Sequence, residues 1–345
     1  MFNRLCFASM TKSILAGLLL TFAAAGSSAQ QVSTIRPLVD PADHRFEGVH
    51  EDWTTPAMST THLIPVQPLR GFVDEKPEYT VEFLRLQWRW GDPVDVYVMR
   101  PKGSKKPPVI VYLNGYPTDE DIFRNDTYED LVTGRGAAAV GFLSALTGVR
   151  YHDRPMKEWF LSDLQESLAT SAHDVQMVLN YLESRGDLDM DRVGMFAQGS
   201  GASIAILASA ADPRIKVLEA LDPWGGWPTW LATSPFVPAD ERALYVTPEF
   251  LKKLATLDPL QWLPKIQAKK FRLDTELFDT VTPKAVQEKL RAAAPAGSSV
   301  MVYRDMDEFK AAFQDGKNLE WIQHEFQSPA TPDAKTGSLS RELGK

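Results

Sequence analysis

The chain has 345 residues, of which 44% are apolar and 24% charged, and its formal charge is −8. That composition excludes a disordered chain, and an acidic chain without a basic stripe argues against nucleic acid or an anionic membrane as partner. The predicted elements, in chain order, begin with a targeting segment over residues 1–29. Arg4 and Lys12 precede an apolar run from Ile14 to Ala25, and Ser27-Ser28-Ala29 offers small residues for cleavage. Met10 is an alternative start. Loss of this leader takes the formal charge from −8 to −10 and removes Cys6, the one cysteine. The mature protein is then exported, periplasmic or secreted, with no disulfide, and must rely on its core. No later apolar run is long enough to span a bilayer.

Residues 30–78, rich in Pro, Asp, Thr and His, read as an N-terminal arm without strong periodicity. The main domain is expected over 79–326. Tyr79–Trp90 and Val94–Met99 alternate apolar and polar residues as strands do, with a turn at Gly91-Asp92-Pro93. Val109–Leu113 is a continuous apolar run, as expected of a strand buried on both faces. A helix is predicted over 119–133 and a strand within 137–146. Ser162–Arg185 is the clearest helix, with a capping box of Ser162 and Gln165 and a stop at Gly186. A strand over 191–196, a helix over 201–211 ended by Asp212-Pro213, and a strand over 215–221 follow.

Residues 224–266 carry Trp224, Trp227, Trp230 and Trp262 and read as a helical lid inserted above the sheet. The remaining predictions are a strand over 270–278, a helix over 284–294, a strand over 298–303, one closing helix over 307–326 and a flexible tail over 327–345. The alternation gives an α/β fold with a doubly wound, mostly parallel sheet and an antiparallel start. Ligands on such sheets sit at the carboxyl ends of the strands.

The informative segment is Val193-Gly-Met-Phe-Ala-Gln-Gly-Ser-Gly201, a strand, a tight turn and a helix of small residues. It resembles the nucleophile elbow, Gly-x-Ser-x-Gly, of the α/β-hydrolase superfamily, and in particular exported esterases and acylaminoacyl- or dipeptidyl-peptidase-like hydrolases. In the register Val-Gly-x-x-Gly-x-Ser-x-Gly, Val193, Gly194 and Gly201 match. Ala197 takes the first elbow glycine, and Gly199 takes the place of the nucleophilic serine. A one-residue shift makes Ser200 the nucleophile instead, but then Gln198 stands where the strand approaches the helix. A bland Gly-Ser-Gly turn is the third reading.

The resemblance further implies an acid and then a histidine. Asp279, in Asp-Thr-Val-Thr-Pro283, matches the triad acid, although an acid before Thr282-Pro283 also suits a helix start. Glu276 departs from that pattern, where glycine is usual. After the strand ending at Tyr303 the sequence is Arg-Asp-Met-Asp-Glu-Phe309, without histidine. His324 reads as a surface residue, His173 as packed or surface, and His152 as a candidate displaced base.

Asn114-Gly115-Tyr116-Pro117 matches the oxyanion-hole loop, or is a plain strand-ending turn. Arg150 and its charged neighbours hold an anion or pair with each other. Trp224 and the nearby tryptophans stack a ring or pack a lid. No metal spacing, phosphate loop or other cofactor signature is present, and Asn125-Asp-Thr127 is a glycosylation sequon only in a eukaryotic host. The leading expectation is an exported α/β-hydrolase-fold protein with a degenerate triad that binds a small organic or peptide-like ligand. Alternatives are an active serine esterase or peptidase using Ser200, and a non-catalytic module that docks a protein partner. Oligomeric state is not encoded legibly.

Overall fold

The structure is a computed structural model that describes residues 51–58, 68–89, 92–117, 123, 132–147, 150 and 163–327. The leader, the predicted helix over 119–133 (apart from Phe123 and residues 132–133), His152, Ser162 and the tail from 328 lie outside them. The described residues fall within one compact unit, Phe46–Lys345.

The strands are β1 Leu69–Glu75, β2 Tyr79–Leu86, β3 Val94–Pro101, β4 Pro108–Leu113, β5 Ala138–Phe142, β6 Asp189–Gln198, β7 Ile215–Leu221, β8 Lys270–Glu276 and β9 Ser299–Tyr303. They form a nine-stranded sheet in the order β1-β2-β3-β5-β4-β6-β7-β8-β9. The pairs β1–β2, β2–β3 and β3–β5 are antiparallel, and every pair from β4–β5 to β8–β9 is parallel. The mixed sheet with an antiparallel start is the expected one. β1 is an addition: it lies inside the stretch read as an arm, because all seven of its residues are exposed and give no period.

Side chains along a strand alternate between faces, and two cores follow from that. Val109, Val111 and Leu113 of β4 enter one core with α1 (Leu164–Arg185) and α2 (Ser200–Ala211). Ile110 and Tyr112 enter the other, with Phe309, Leu319 and Ile322. Both faces are covered, so the central strands read as unbroken apolar runs.

α1 stops at Gly186, which is left-handed at φ 73°, as its sequence demands. Its N-cap is Asp163, whose side chain makes no capping bond, so the expected box does not define this terminus. The segment after β7 contains α3 Trp227–Thr233, α4 Arg242–Tyr245, α5 Pro248–Ala255 and α6 Pro259–Trp262, in agreement with a helical insertion. Three of its tryptophans are buried and Trp262 is half-buried: Trp224 stacks on Trp230 with centroids 4.8 Å apart, and Trp227 meets Trp230 edge-on. Asp258 pins this cover by accepting N–H bonds from Gly226, Trp227 and Leu260.

After β8 come α7 Lys284–Ala293 and, beyond β9, α8 Met306–Gln314 and α9 Lys317–Gln327. The single closing helix expected over 307–326 is therefore two, separated at Gly316, whose φ of 73° breaks the helical run.

Candidate active site

β6 ends at Gln198 and α2 begins at Ser200, so Gly199 alone makes the turn, with φ 53° and ψ −121°. Side chains rarely adopt that conformation, and glycine adopts it without a Cβ penalty. The turn is tied down: Gly199 N–H donates to Leu221 C=O at 2.9 Å, and Ser203 N–H returns to Gly199 C=O at 3.2 Å. Gly201 lets α2 press onto β4, since a Cβ there would collide with the Leu113 carbonyl oxygen. Gly199 thus stands at the bend and Ser200 is the first helical residue.

Ser200 is fully buried. Its Oγ accepts a hydrogen bond from the Tyr116 backbone N–H at 2.9 Å. The hydroxyl thus sits on a donor of the loop read as an oxyanion hole and is not presented to the cleft.

A cavity of about 190 Å³ lies over the bend, at the carboxyl ends of the parallel strands. Gly115, Tyr116, Gly199, Trp224 and Asp279 line it, so the structure gathers five of the residues singled out from sequence. Gly115 and Tyr116 come from the loop after β4, Gly199 from the bend after β6, Trp224 from the start of the cover, and Asp279 from the loop after β8. Asn114 is buried behind the lining, with its Nδ2 unpartnered.

Asp279 Oδ1 and Oδ2 accept the N–H groups of Val281 and Thr282 at 2.8 and 2.9 Å. Asp279 thus lines the cavity while its carboxylate shapes the turn into α7.

Arg150 is elsewhere. Its guanidinium bonds to Asp92, Asp174 and the Leu143 carbonyl, in a buried group that includes Arg89. Burial opposes the Arg150 charge, but Asp174 and Asp92 outweigh it and hold the pKa above the usual value. The anion-binding expectation for Arg150 is corrected: its charge is neutralised within the fold.

His173 is packed, with Nδ1 on Glu51 at 2.7 Å and Nε2 on the Thr55 carbonyl at 3.0 Å, and His324 is on the surface beside Glu325. Among the described residues no histidine lines the cavity. Met306 does, from the segment after β9 where the resemblance calls for histidine.

The sequence reading missed two acids. Asp222, in the left-handed region at φ 44°, follows β7 and accepts Glu276 N–H at 3.0 Å. Asp222 and Glu276 both line the cavity with Asp279. Burial, then Asp279, pushes Asp222 up to about 9, and burial, then Asp279 and Asp305, pushes Glu276 to about 7. The legible signals were an acid directly after an apolar strand, in Leu221-Asp-Pro, and Glu276 where glycine is usual. Phe236, also in the lining, gave no signal.

No family model matches the chain. Among curated proteins it is similar to "Putative hydrolase YtaP" of Bacillus subtilis (strain 168), 26% identical over 172 residues, which is 45% of this chain and 56% of that protein. The chain thus spans little more than half of that relative's length. Among solved structures it is similar to acetyl xylan esterase 1 from a Thermoanaerobacterium species, with TM-score 0.60, 16% identity, and coverage of 76% of this chain and 89% of that one. A second is the acylaminoacyl peptidase of Pyrococcus horikoshii, with TM-score 0.53, 14% identity, and coverage of 76% and 49%. A Mycobacterium tuberculosis puromycin-hydrolyzing peptidase superposes with TM-score 0.57 at 15% identity, over 72% of this chain and 40% of that one. Strand order, the bend after β6 and these superpositions agree: the chain has the α/β-hydrolase fold.

Proposed function

We propose that this protein is an exported binder of a small organic or peptide-like molecule, built on the α/β-hydrolase fold without its serine nucleophile. One observation carries the reading. Glycine occupies the bend that aims into the cavity, while the neighbouring hydroxyl is buried on the Tyr116 amide. A serine acts as a nucleophile when a base takes its proton, and among the described residues no imidazole lines the cavity. The fold supplies a cavity with fixed walls, and non-covalent recognition needs no more than that.

The experiment is incubation of the full chain with a fluorophosphonate probe, followed by mass spectrometry. Absence of labelling, together with ester turnover that is unaltered in Ser200→Ala, is the expected result. Stoichiometric labelling of Ser200 refutes the reading. Export is tested separately, by N-terminal sequencing of the protein recovered from the cell envelope and medium; a chain that retains residues 1–29 refutes cleavage.

A second reading, an active esterase or peptidase using Ser200, is favoured by the fold's company: the similar structures are esterases and peptidases and the curated relative is named a hydrolase. It requires the Ser200 hydroxyl to leave the Tyr116 N–H and turn toward the cleft. The same probe separates the two readings.

A further inference from the structure

The lining of the cavity has a chemical bias. Its acidic and basic side chains among the described residues are all carboxylic acids, namely Asp222, Glu276 and Asp279; no lysine, arginine or histidine lines it. One amide that would suit an anion, Tyr116 N–H, already has the Ser200 oxygen as acceptor. Glu276 is only 7% exposed, and its Oε1 is buried without a hydrogen-bond partner. An oxygen left this way in a native protein marks a missing partner. Asp222 does not supply it, since both of its oxygens accept the Glu276 backbone N–H.

The lining is also aromatic. Trp224 and Phe236 meet edge to face at 5.6 Å, and Tyr116 meets Phe236 at 5.9 Å. Aromatic faces attract cations and pack apolar rings. Among the described residues no group of three or more His, Cys, Asp or Glu is arranged to hold a metal ion.

From this juxtaposition we infer that the cavity takes a small organic cation, an amine or amidine carried on an apolar or aromatic body, with the charged end at Glu276 and Asp279 and the body against Trp224 and Phe236. The inference rests on the small-molecule-binding reading above and names its ligand class. Nitrogen cations donate charge-assisted bonds to carboxylates, and such a ligand gives the buried Glu276 oxygen its donor. Asp279 keeps its turn-forming bonds to Val281 and Thr282 and contributes charge without moving.

The acidity of the site adds a second signature. Glu276 is pushed to about 7 by burial, with Asp279 and Asp305 acting in the same direction and Lys310 against them. Asp222 is pushed to about 9 by burial, then by Asp279, Glu276 and Asp274, against the Glu276 N–H bond. A cation binds the ionised form, so its affinity rises between pH 6 and pH 8 as Glu276 loses its proton.

The experiment is calorimetric titration of the full chain with phenethylammonium and benzamidinium, against 3-phenylpropan-1-ol as a neutral body and benzoate as an anion. The expected result is saturable binding of the cations, at least about tenfold tighter than that of the neutral or anionic probe, strengthening from pH 6 to pH 8. Glu276→Gln weakens cation binding by about tenfold and leaves 3-phenylpropan-1-ol unchanged, and Asp279→Asn, which retains a turn-capping oxygen, weakens it in the same sense. Circular dichroism checks that both variants fold, and the ligand comparison on the unaltered protein needs no variant. Equal binding of cation and neutral probe, preference for benzoate, or no saturable cation binding overturns the inference. Fluorophosphonate labelling of Ser200 in a parallel sample overturns the underlying reading instead, so the two failures are told apart.

Discussion

Replacement of Gly199 by alanine tests the bend most directly, because the sign of the stability change depends on backbone geometry. At a position with ordinary φ, Gly→Ala stabilises a protein by roughly 0.4–1 kcal/mol, since the unfolded chain loses freedom. At Gly199 the φ of 53° with ψ −121° imposes strain on any L side chain, typically about 1–3 kcal/mol for a residue held in a sparsely populated region. Contact adds little to this. A Cβ at residue 199 would meet the Trp224 Nε1 at 3.4 Å and the Gly115 Cα at 3.7 Å, which are ordinary distances. The expected change is thus a loss on the order of 1–3 kcal/mol, and for a domain of this size a melting temperature lower by roughly 2–12 °C. Urea denaturation followed by far-UV circular dichroism measures the first, and scanning calorimetry the second. A variant as stable as the parent, or more stable, refutes the elbow geometry and the alignment of glycine with the nucleophile position.

Four further outcomes are expected. Ser200→Ala removes the acceptor of the Tyr116 N–H; it should lower stability by about 1 kcal/mol and leave any residual ester turnover unchanged, and a loss of turnover contradicts it. Asp174→Ala leaves Arg89 and Arg150 without their shared buried carboxylate; a loss of about 3–5 kcal/mol in urea unfolding is expected, and a loss below 1 kcal/mol refutes the charge-neutralising role. Asp258→Ala frees three N–H groups that hold the cover; destabilisation on the order of 1–3 kcal/mol with red-shifted tryptophan emission is expected, and an unchanged spectrum argues against the pin. The raised acids set a pH slope. Asp222 and Glu276 bind protons more tightly folded than unfolded, so their contribution is complete at acid pH. It falls as pH rises from about 4 through about 7 for Glu276 and about 9 for Asp222. Asp222→Asn should flatten the upper part of that decline in a series of urea midpoints, and an unchanged slope refutes the assignment.

The fold was legible because its signals are local. Val109–Leu113 and Val193–Ala197 are strands buried on both faces, and Ser162–Arg185 has one apolar stripe ended by glycine. Where the structure departs from expectation, the signal was absent or ambiguous. β1 has every residue exposed, so no burial pattern betrays it, although it pairs with the next strand, β2, as a hairpin. The closing segment keeps helical periodicity across Gly316, and only the backbone shows the break. Arg150 is the instructive case at the site. A charged residue after a strand suggests an anion, but Asp92 and Asp174 lie 58 and 24 positions away in sequence, and nothing local announces the pairing. Asp222 and Glu276 were in plain view as residues, yet their raised pKa values come from burial and from Asp279, which the ends of β7 and β8 bring beside them.

The geometry of the bend at Gly199 has a structural reason. The contacts that fix it, Gly199 N–H to Leu221 C=O and the close approach of Gly201 to Leu113, belong to the strand–helix crossover and involve no side chain at residue 199. Glycine at this position carries the bend without backbone strain, and the stabilising contacts of the crossover do not depend on a side chain there. The acids are under no such protection: each carboxyl is held above its ordinary pKa by burial and by its neighbours, and so weighs against the empty folded state at neutral and alkaline pH. The cation titration and the pH slope of Asp222→Asn therefore probe these raised acids from opposite sides, one through a ligand and the other through stability.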